Sequence, residues 1–211
     1  KTYLYILGKL KQLIGTSNNV SNDVINTINN LADIYHGNFS IFQSLPDMWG
    51  IDQLHPIAPI HHLNLQPKRR VVLNDITCDS DGVIKKFVLN DGISNTLPVH
   101  DFKKNNDYYL GVFFVGAYQE TLGDLHNLFG DTNVITVELL NNGRFKIIHE
   151  QKGDTISEVL SYVEYSPTKI LKNFEKIVMK FVKNKKLKIS EKKLLLTNFK
   201  ESIEGYTYYE S

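Results

Sequence analysis

Cysteine is nearly absent: Cys78 is the only one among 211 residues. A single thiol rules out an internal disulfide framework and a four-cysteine zinc site. Arginine is scarce as well, with 3 against 21 lysines, and beside 20 asparagines this skew reads as codon bias rather than function. Neither sign of charge dominates. The 24 Lys+Arg face 23 Asp+Glu, a net charge of +1, which gives no general pull toward nucleic acid or an anionic membrane. No stretch approaches the roughly 18 consecutive apolar residues of a transmembrane helix. The start, KTYLYILGKLKQ, carries neither an initiator Met nor a signal-peptide cleavage pattern, and reads as the start of a fragment or processed chain. Phosphate-loop, dinucleotide-binding, zinc-protease and nucleophile-elbow motifs are all missing. What is present is ordinary: 42% hydrophobic and 22% charged residues argue against global disorder. The expectation is a soluble, globular, cytoplasmic protein of one large or two modest domains, with no nucleic-acid or membrane partner.

Periodicity divides the chain into three parts. Residues 1–37 read as a helical connecting segment. Leu4, Leu7, Leu10 and Ile14 recur at helical spacing up to Gly15. Ser21 then caps a second helix whose face runs from Val24 to Tyr35 and stops at Gly37. Residues 38–153 read as a β-domain. Phe39–Phe42, Val71–Thr77, Val83–Leu89, Tyr109–Val115, Val134–Leu140 and Arg144–His149 are rich in β-branched and aromatic residues. Asp81-Gly82, Asp91-Gly92 and Asn141-Asn142-Gly143 supply turns between them. Short consecutive strands without long helices favour an antiparallel barrel or sandwich. Residues 154–211 return to helical period as a C-terminal helical bundle. Thr155 to Glu158 fits a capping box, Ser166-Pro167 opens a second helix, and Ser190-Glu191 opens a third. The inward face of the second is expected at Ile170, Leu171, Phe174, Ile177, Val178 and Phe181. The basic run Lys183–Lys193 reads as a solvated loop and helix face.

Four clusters could carry chemistry. Thr77-Cys78-Asp79-Ser80-Asp81-Gly82 sets a thiol beside two carboxylates at a strand end, which suits a proton donor next to a cation-binding acid. The same residues are also good turn formers, and a lone cysteine is often a small buried hydrophobe. Gly116-Ala117-Tyr118 follows an apolar strand, where small residues admit a ligand and the phenol can donate to a phosphate; close packing of a strand end explains it equally well. Gly123 to Asp131, containing His126 and Asn127, is either a pocket-lining loop or an irregular connection. The adjacent His61 and His62 would point to opposite faces of a strand, and no further ligand stands at metal spacing. No metal site is expected there.

Read in order, FQSLPDMWGIDQLHPIAPI, RRVVLNDITCDSDG, YYLGVFFVGAYQETLGDLHNLFGDTN and GYTYYES resemble the C-terminal part of bacterial biosynthetic arginine decarboxylases. The likeness runs from about residue 33 to the C-terminus. It implies an α+β chain: the β-domain of a fold-type III pyridoxal-phosphate decarboxylase, the fold type of alanine racemase and ornithine decarboxylase, flanked by helices. The (β/α)8 barrel of that fold type, with the cofactor's Schiff-base lysine, is absent from this sequence. The resemblance further implies conversion of L-arginine to agmatine and carbon dioxide, toward putrescine and spermidine. It implies a homodimer or higher homo-oligomer whose sites form between subunits, partnered by the N-terminal barrel of the same enzyme. On that reading Cys78 matches the proton donor, and Asp79 matches the carboxylate that holds the substrate guanidinium. Asp81 either helps it or shapes the turn, and Tyr118, with Gly116, lies by the phosphate of pyridoxal 5'-phosphate. His126 and Asn127 fall where relatives place pocket residues, His126 on the substrate side. Magnesium is implied by the family alone. The open rivals are an ornithine, lysine or diaminopimelate decarboxylase segment, a non-catalytic assembly module, and a small-ligand barrel.

Overall fold

The computed structural model describes residues 9, 10, 12, 32–102 and 106–210, so most of each of the two helices expected over 1–37 lies outside the described residues. The chain forms two compact units. Of the described residues, one gathers those up to Gly37 with Gly50–Asp75 and those within 83–116; the other gathers Asn38–Trp49, Ile76–Gly82 and those from Ala117 onward. The architecture is α+β with mostly antiparallel sheets.

In the first unit, β3 (Arg69–Asn74) is the central strand, and its alternation turns Val71 and Leu73 into the core. β1 (Asp33–His36) pairs with it from Asp33↔Val71 to His36↔Asn74. β4 (Val83–Ile84) and β7 (Leu97–Val99) pair with β3 antiparallel, the first at Leu73↔Ile84 and the second at Val71↔Leu97. β2 (Ile57–Pro59) pairs with β8 (Leu110–Val112), and β5 (Phe87–Leu89) turns into β6 (Gly92–Ser94) through Gly92 at φ +122°. Phe87, Leu97, Val99 and Ile57 complete the core.

Four expectations fail here. Residues 33–36 are a strand, not the end of a helix. Their backbone groups are satisfied by β3, and a tertiary ladder outweighs the helical period of the preceding residues. That pairing is parallel, which the long connection between β1 and β3 permits. The sheets, moreover, do not close. Among the described residues one has four strands and three have two, and strands of two or three residues are too short to ring a barrel. The single strand expected over Val83–Leu89 is two, broken at Lys85-Lys86.

In the second unit, α1 (Ile41–Ser44) replaces the strand expected at Phe39–Phe42. Ser40 accepts the Gln43 N–H at 3.3 Å, an N-cap that holds the chain helical. α2 (Pro46–Gly50) and α3 (Tyr118–Thr121) follow, tied by the buried Gln119, which accepts the Asp47 N–H at 3.1 Å and donates to its carboxylate. β9 (Val134–Leu139) and β10 (Phe145–Gln151) form a hairpin with a bulge between Ile147 and His149. α4 (Ile156–Tyr162) begins at the expected capping box: Thr155 accepts from Glu158 N–H, and the Glu158 carboxylate accepts Thr155 N–H at 2.8 Å. α5 (Pro167–Lys183) starts on the Ser166 cap. α6 (Ile189–Ile203) starts one residue earlier than expected, because the Glu191 carboxylate accepts the N–H of Lys188 at 2.7 Å. Phe174 stacks on Phe199, their rings 3.9 Å apart, and Val159, Val178 and Ile203 are buried. Ile177 and Phe181, expected inward, stay exposed because α5 meets α4 and α6 along only part of its circumference.

The tail GYTYYES is structural. Tyr208 donates to Gly130 O at 2.9 Å, Tyr206 accepts from Asn133 N–H, Thr207 accepts from Gly130 N–H, and Asn38 exchanges two hydrogen bonds with Tyr209. These contacts fix the segment that follows the 125–129 turn. Beside it, Gln43 Nε2 donates to Asp131 Oδ1 at 2.5 Å. Burial, then Asp154 and Glu120, push the Asp131 carboxyl above the ordinary range against that hydrogen bond. A raised carboxyl makes the native state bind protons more tightly, so Asp131 costs stability as pH rises above the ordinary Asp range. Asp131→Asn keeps an acceptor for Gln43, so it should raise Tm at neutral pH. The gain should vanish at acid pH; equal gains at both would show that charge is not the cause.

Candidate functional site

The site is assembled within the second unit on α1 and two loops. Phe42 is buried on α1, with Trp49 edge-on at 5.1 Å and the His126 ring tilted over it at 4.1 Å. The chain reaches His126 through a close approach. A Cβ at Gly123 would lie 2.7 Å from Gln43 O, and Asp124 N–H donates to Phe42 O at 3.1 Å. Glycine is required at 123 for that crossing.

The 76–82 turn presents Cys78 and Asp79. Asp79 Oδ1 accepts the Asp81 N–H at 2.8 Å, and Gly82 N–H donates to Asp79 O at 3.2 Å. Asp81 therefore shapes the turn through its backbone, while its carboxylate is exposed. The other Asp79 oxygen faces His126 Nε2 at 3.2 Å, both side chains about one-third exposed. Asn127 Nδ2 lies 3.2 Å from Cys78 Sγ, and Asn127 Oδ1 accepts the Cys78 N–H at 3.3 Å. Cys78 is exposed, so it is no buried hydrophobe.

The sequence clusters around Cys78 and His126 are thus one constellation: thiol, carboxylate, imidazole and carboxamide. Tyr118 is not part of it. Its ring is 76% exposed on α3 and makes no hydrogen bond or ring contact with these residues. Gly116 belongs to the first unit, and a Cβ there would meet nothing within 4 Å. His61 and His62 lie in a bend after β2, not on a strand. Their rings are 6.2 Å apart, and His61 stacks on Tyr108 and Tyr109. Among the described residues no three His, Cys, Asp or Glu side chains group to hold a metal ion. No described helix is long and apolar enough to cross a membrane. The sequence reading missed α1 as the platform, although Ser40 and Gln43 carry the S-x-x-Q signature of a helix start.

Residues 156–209 match the family described as the arginine decarboxylase C-terminal helical extension. The whole chain aligns with the biosynthetic arginine decarboxylase of Bacteroides thetaiotaomicron at 45% identity, covering 33% of that protein. That of Phocaeicola vulgatus is 50% identical over 85% of this chain and 28% of its own length. The crystal structure of the biosynthetic arginine decarboxylase SpeA from Campylobacter jejuni superposes with a TM-score of 0.73 at 32% identity, covering 84% of this chain and 29% of that one. The chain spans about a third of the length of these relatives. It belongs to the biosynthetic arginine decarboxylase family, over the C-terminal part.

Proposed function

We propose that this chain supplies one half of an arginine decarboxylase site, in which L-arginine loses carbon dioxide to give agmatine. The carrying observation is the turn that presents the Cys78 thiol and the Asp79 carboxylate side by side, each held by a residue of the 125–129 turn. Asp79 is the anchor for the guanidinium. A carboxylate offers about four acceptor positions, so two remain beside those facing Asp81 and His126. A planar fork of N–H donors suits those two. His126 borders the same end of the substrate, and Asp81 holds the turn. Cys78 is the proton donor. The bond to the carboxylate breaks, carbon dioxide leaves, and the Sγ–H proton goes to the carbon that held it; solvent restores the thiol. The exposure of Cys78 supports a site completed from outside this chain, by the barrel portion of the enzyme and a second subunit.

Pyridoxal 5'-phosphate, when bound, supplies the electron sink for the departing carboxylate. Residues here suit its phosphate side only. The exposed Tyr118 phenol is free to donate to a phosphate oxygen. The lysine that would hold the cofactor is read as lying in the barrel portion. The division into 1–37, 38–153 and 154–211 is kept as a proposal about sequence segments, across which the two compact units interleave, and the family match over 156–209 supports its last segment. The full-length enzyme carrying this segment should prefer arginine over ornithine, lysine and diaminopimelate in a substrate panel. Preference for another of these would move the assignment to a sister activity.

The chain purified alone should form no agmatine and show no bound-cofactor absorbance. Trp49, Phe113 and Phe114 are 49%, 43% and 88% exposed, and the hairpin shows Ile135, Val137 and Leu139 to solvent, so it should also self-associate. Agmatine from the isolated chain would overturn the divided-site reading, and a strictly monomeric chain at high concentration would refute the association.

A further inference from the structure

The 125–129 turn carries a feature that the roles of Cys78 and Asp79 do not require. Asn127 sits at φ 57°, ψ 23°, and Leu128 follows at φ 62°, two consecutive left-handed residues, neither of them glycine. Asparagine tolerates that conformation better than most residues, leucine poorly. The geometry places one planar carboxamide on two atoms of Cys78. Its orientation is determined: the Cys78 backbone N–H can only donate, so Oδ1 must face it, which leaves Nδ2 for the sulfur. An N–H donated to Sγ takes one sulfur lone pair, so the S–H bond is directed away from Asn127. His126, the preceding residue, addresses Asp79 instead.

We infer that Asn127 is the positioning residue for Cys78: its carboxamide holds the thiol in the rotamer that protonates the substrate carbon, and so sets fidelity of protonation rather than affinity for arginine. The inference rests on the proton-donor reading of Cys78 given above. It divides the turn by task, Asn127 for product and His126 for substrate.

The test uses the full-length enzyme carrying this segment. Glycine adopts φ near +57° freely, so Asn127→Gly removes the carboxamide while sparing the backbone. Asn127→Asp keeps an acceptor for Cys78 N–H and removes the donor to sulfur. Both should release more carbon dioxide than agmatine, with the arginine KM within about twofold of the parent. His126→Ala should do the reverse, raising KM at one-to-one stoichiometry. Cys78→Ala is the benchmark. If it unbalances the products while both Asn127 variants stay one to one, Asn127 is only a turn residue and this inference falls alone. If Cys78→Ala itself stays one to one, the proton-donor reading falls and takes this inference with it. A raised KM at unchanged stoichiometry in the Asn127 variants would also overturn it.

Discussion

Replacing Asp79 by alanine in the full-length enzyme should weaken arginine turnover at low substrate by roughly 30-fold or more, corresponding to about 2–5 kcal/mol for a desolvated cation left without its partner. The loss has two sources, and the structure separates them. Alanine removes the charge that meets the guanidinium, and also the oxygen that accepts the Asp81 N–H and shapes the turn. Asp79→Asn keeps the second and loses the first. It should therefore fall between alanine and the parent in kcat/KM, with the turn intact. A site that depends on this carboxylate should also lose discrimination, because substrates lacking a guanidinium no longer forfeit a charged partner at this position. Unchanged arginine kinetics in both variants would remove Asp79 from the site.

Cys78→Ala should alter what is made more than what is bound. A thiol carries a transferable proton, and alanine has none. The variant should release carbon dioxide in excess of agmatine and lose activity over successive turnovers. The structural alternative predicts lower stability with carbon dioxide and agmatine at one to one. Subunit mixing tests whether the residue acts across an interface. A Cys78→Ala subunit paired with one lacking the cofactor lysine should recover at most about half the sites, since one of two composite sites is whole. Proven heterodimers without any rescue would refute action in trans. Because Cys78 is the chain's only cysteine, thiol loss in the segment has a single interpretation.

Signals that act within one turn of chain were legible. The Thr155–Glu158 box, the Ser166-Pro167 start and the Asn141-Asn142-Gly143 turn are local chemistry, and each lies where the sequence put it. Signals that need a distant partner were not. β1 is four residues whose state is decided by β3, so no window around Asp33–His36 contains the cause. α1 was read as a strand because Phe39, Ile41 and Phe42 have β propensity, yet the Ser40 cap decides the backbone and burial accepts either shape. In the site, Cys78 and Asp79 were named from the turn they occupy. Their pairing with Asn127 and His126 is a long-range contact, and the left-handed backbone at 127–128 has no glycine to announce it. Exposure of Ile177 and Phe181 was hidden for a related reason: periodicity finds an apolar face without saying how much of it is covered.

The interleaving of the two units along the chain governs how this segment can be dissected. The unit that bears the constellation draws on Asn38–Trp49, Ile76–Gly82 and Ala117–Ser211, so no single cut isolates it. Expression of 117–211 alone would keep His126 and Asn127 but discard Cys78, Asp79 and the Phe42 platform. The helical stretch 156–209, the part most easily recognised as a module, holds none of them. Anyone designing a minimal soluble version must therefore keep the intervening strands as connectors or replace them with linkers joining 49 to 76 and 82 to 117. Joining those ends, rather than trimming the termini, is the route to a smaller fragment that still displays all four side chains.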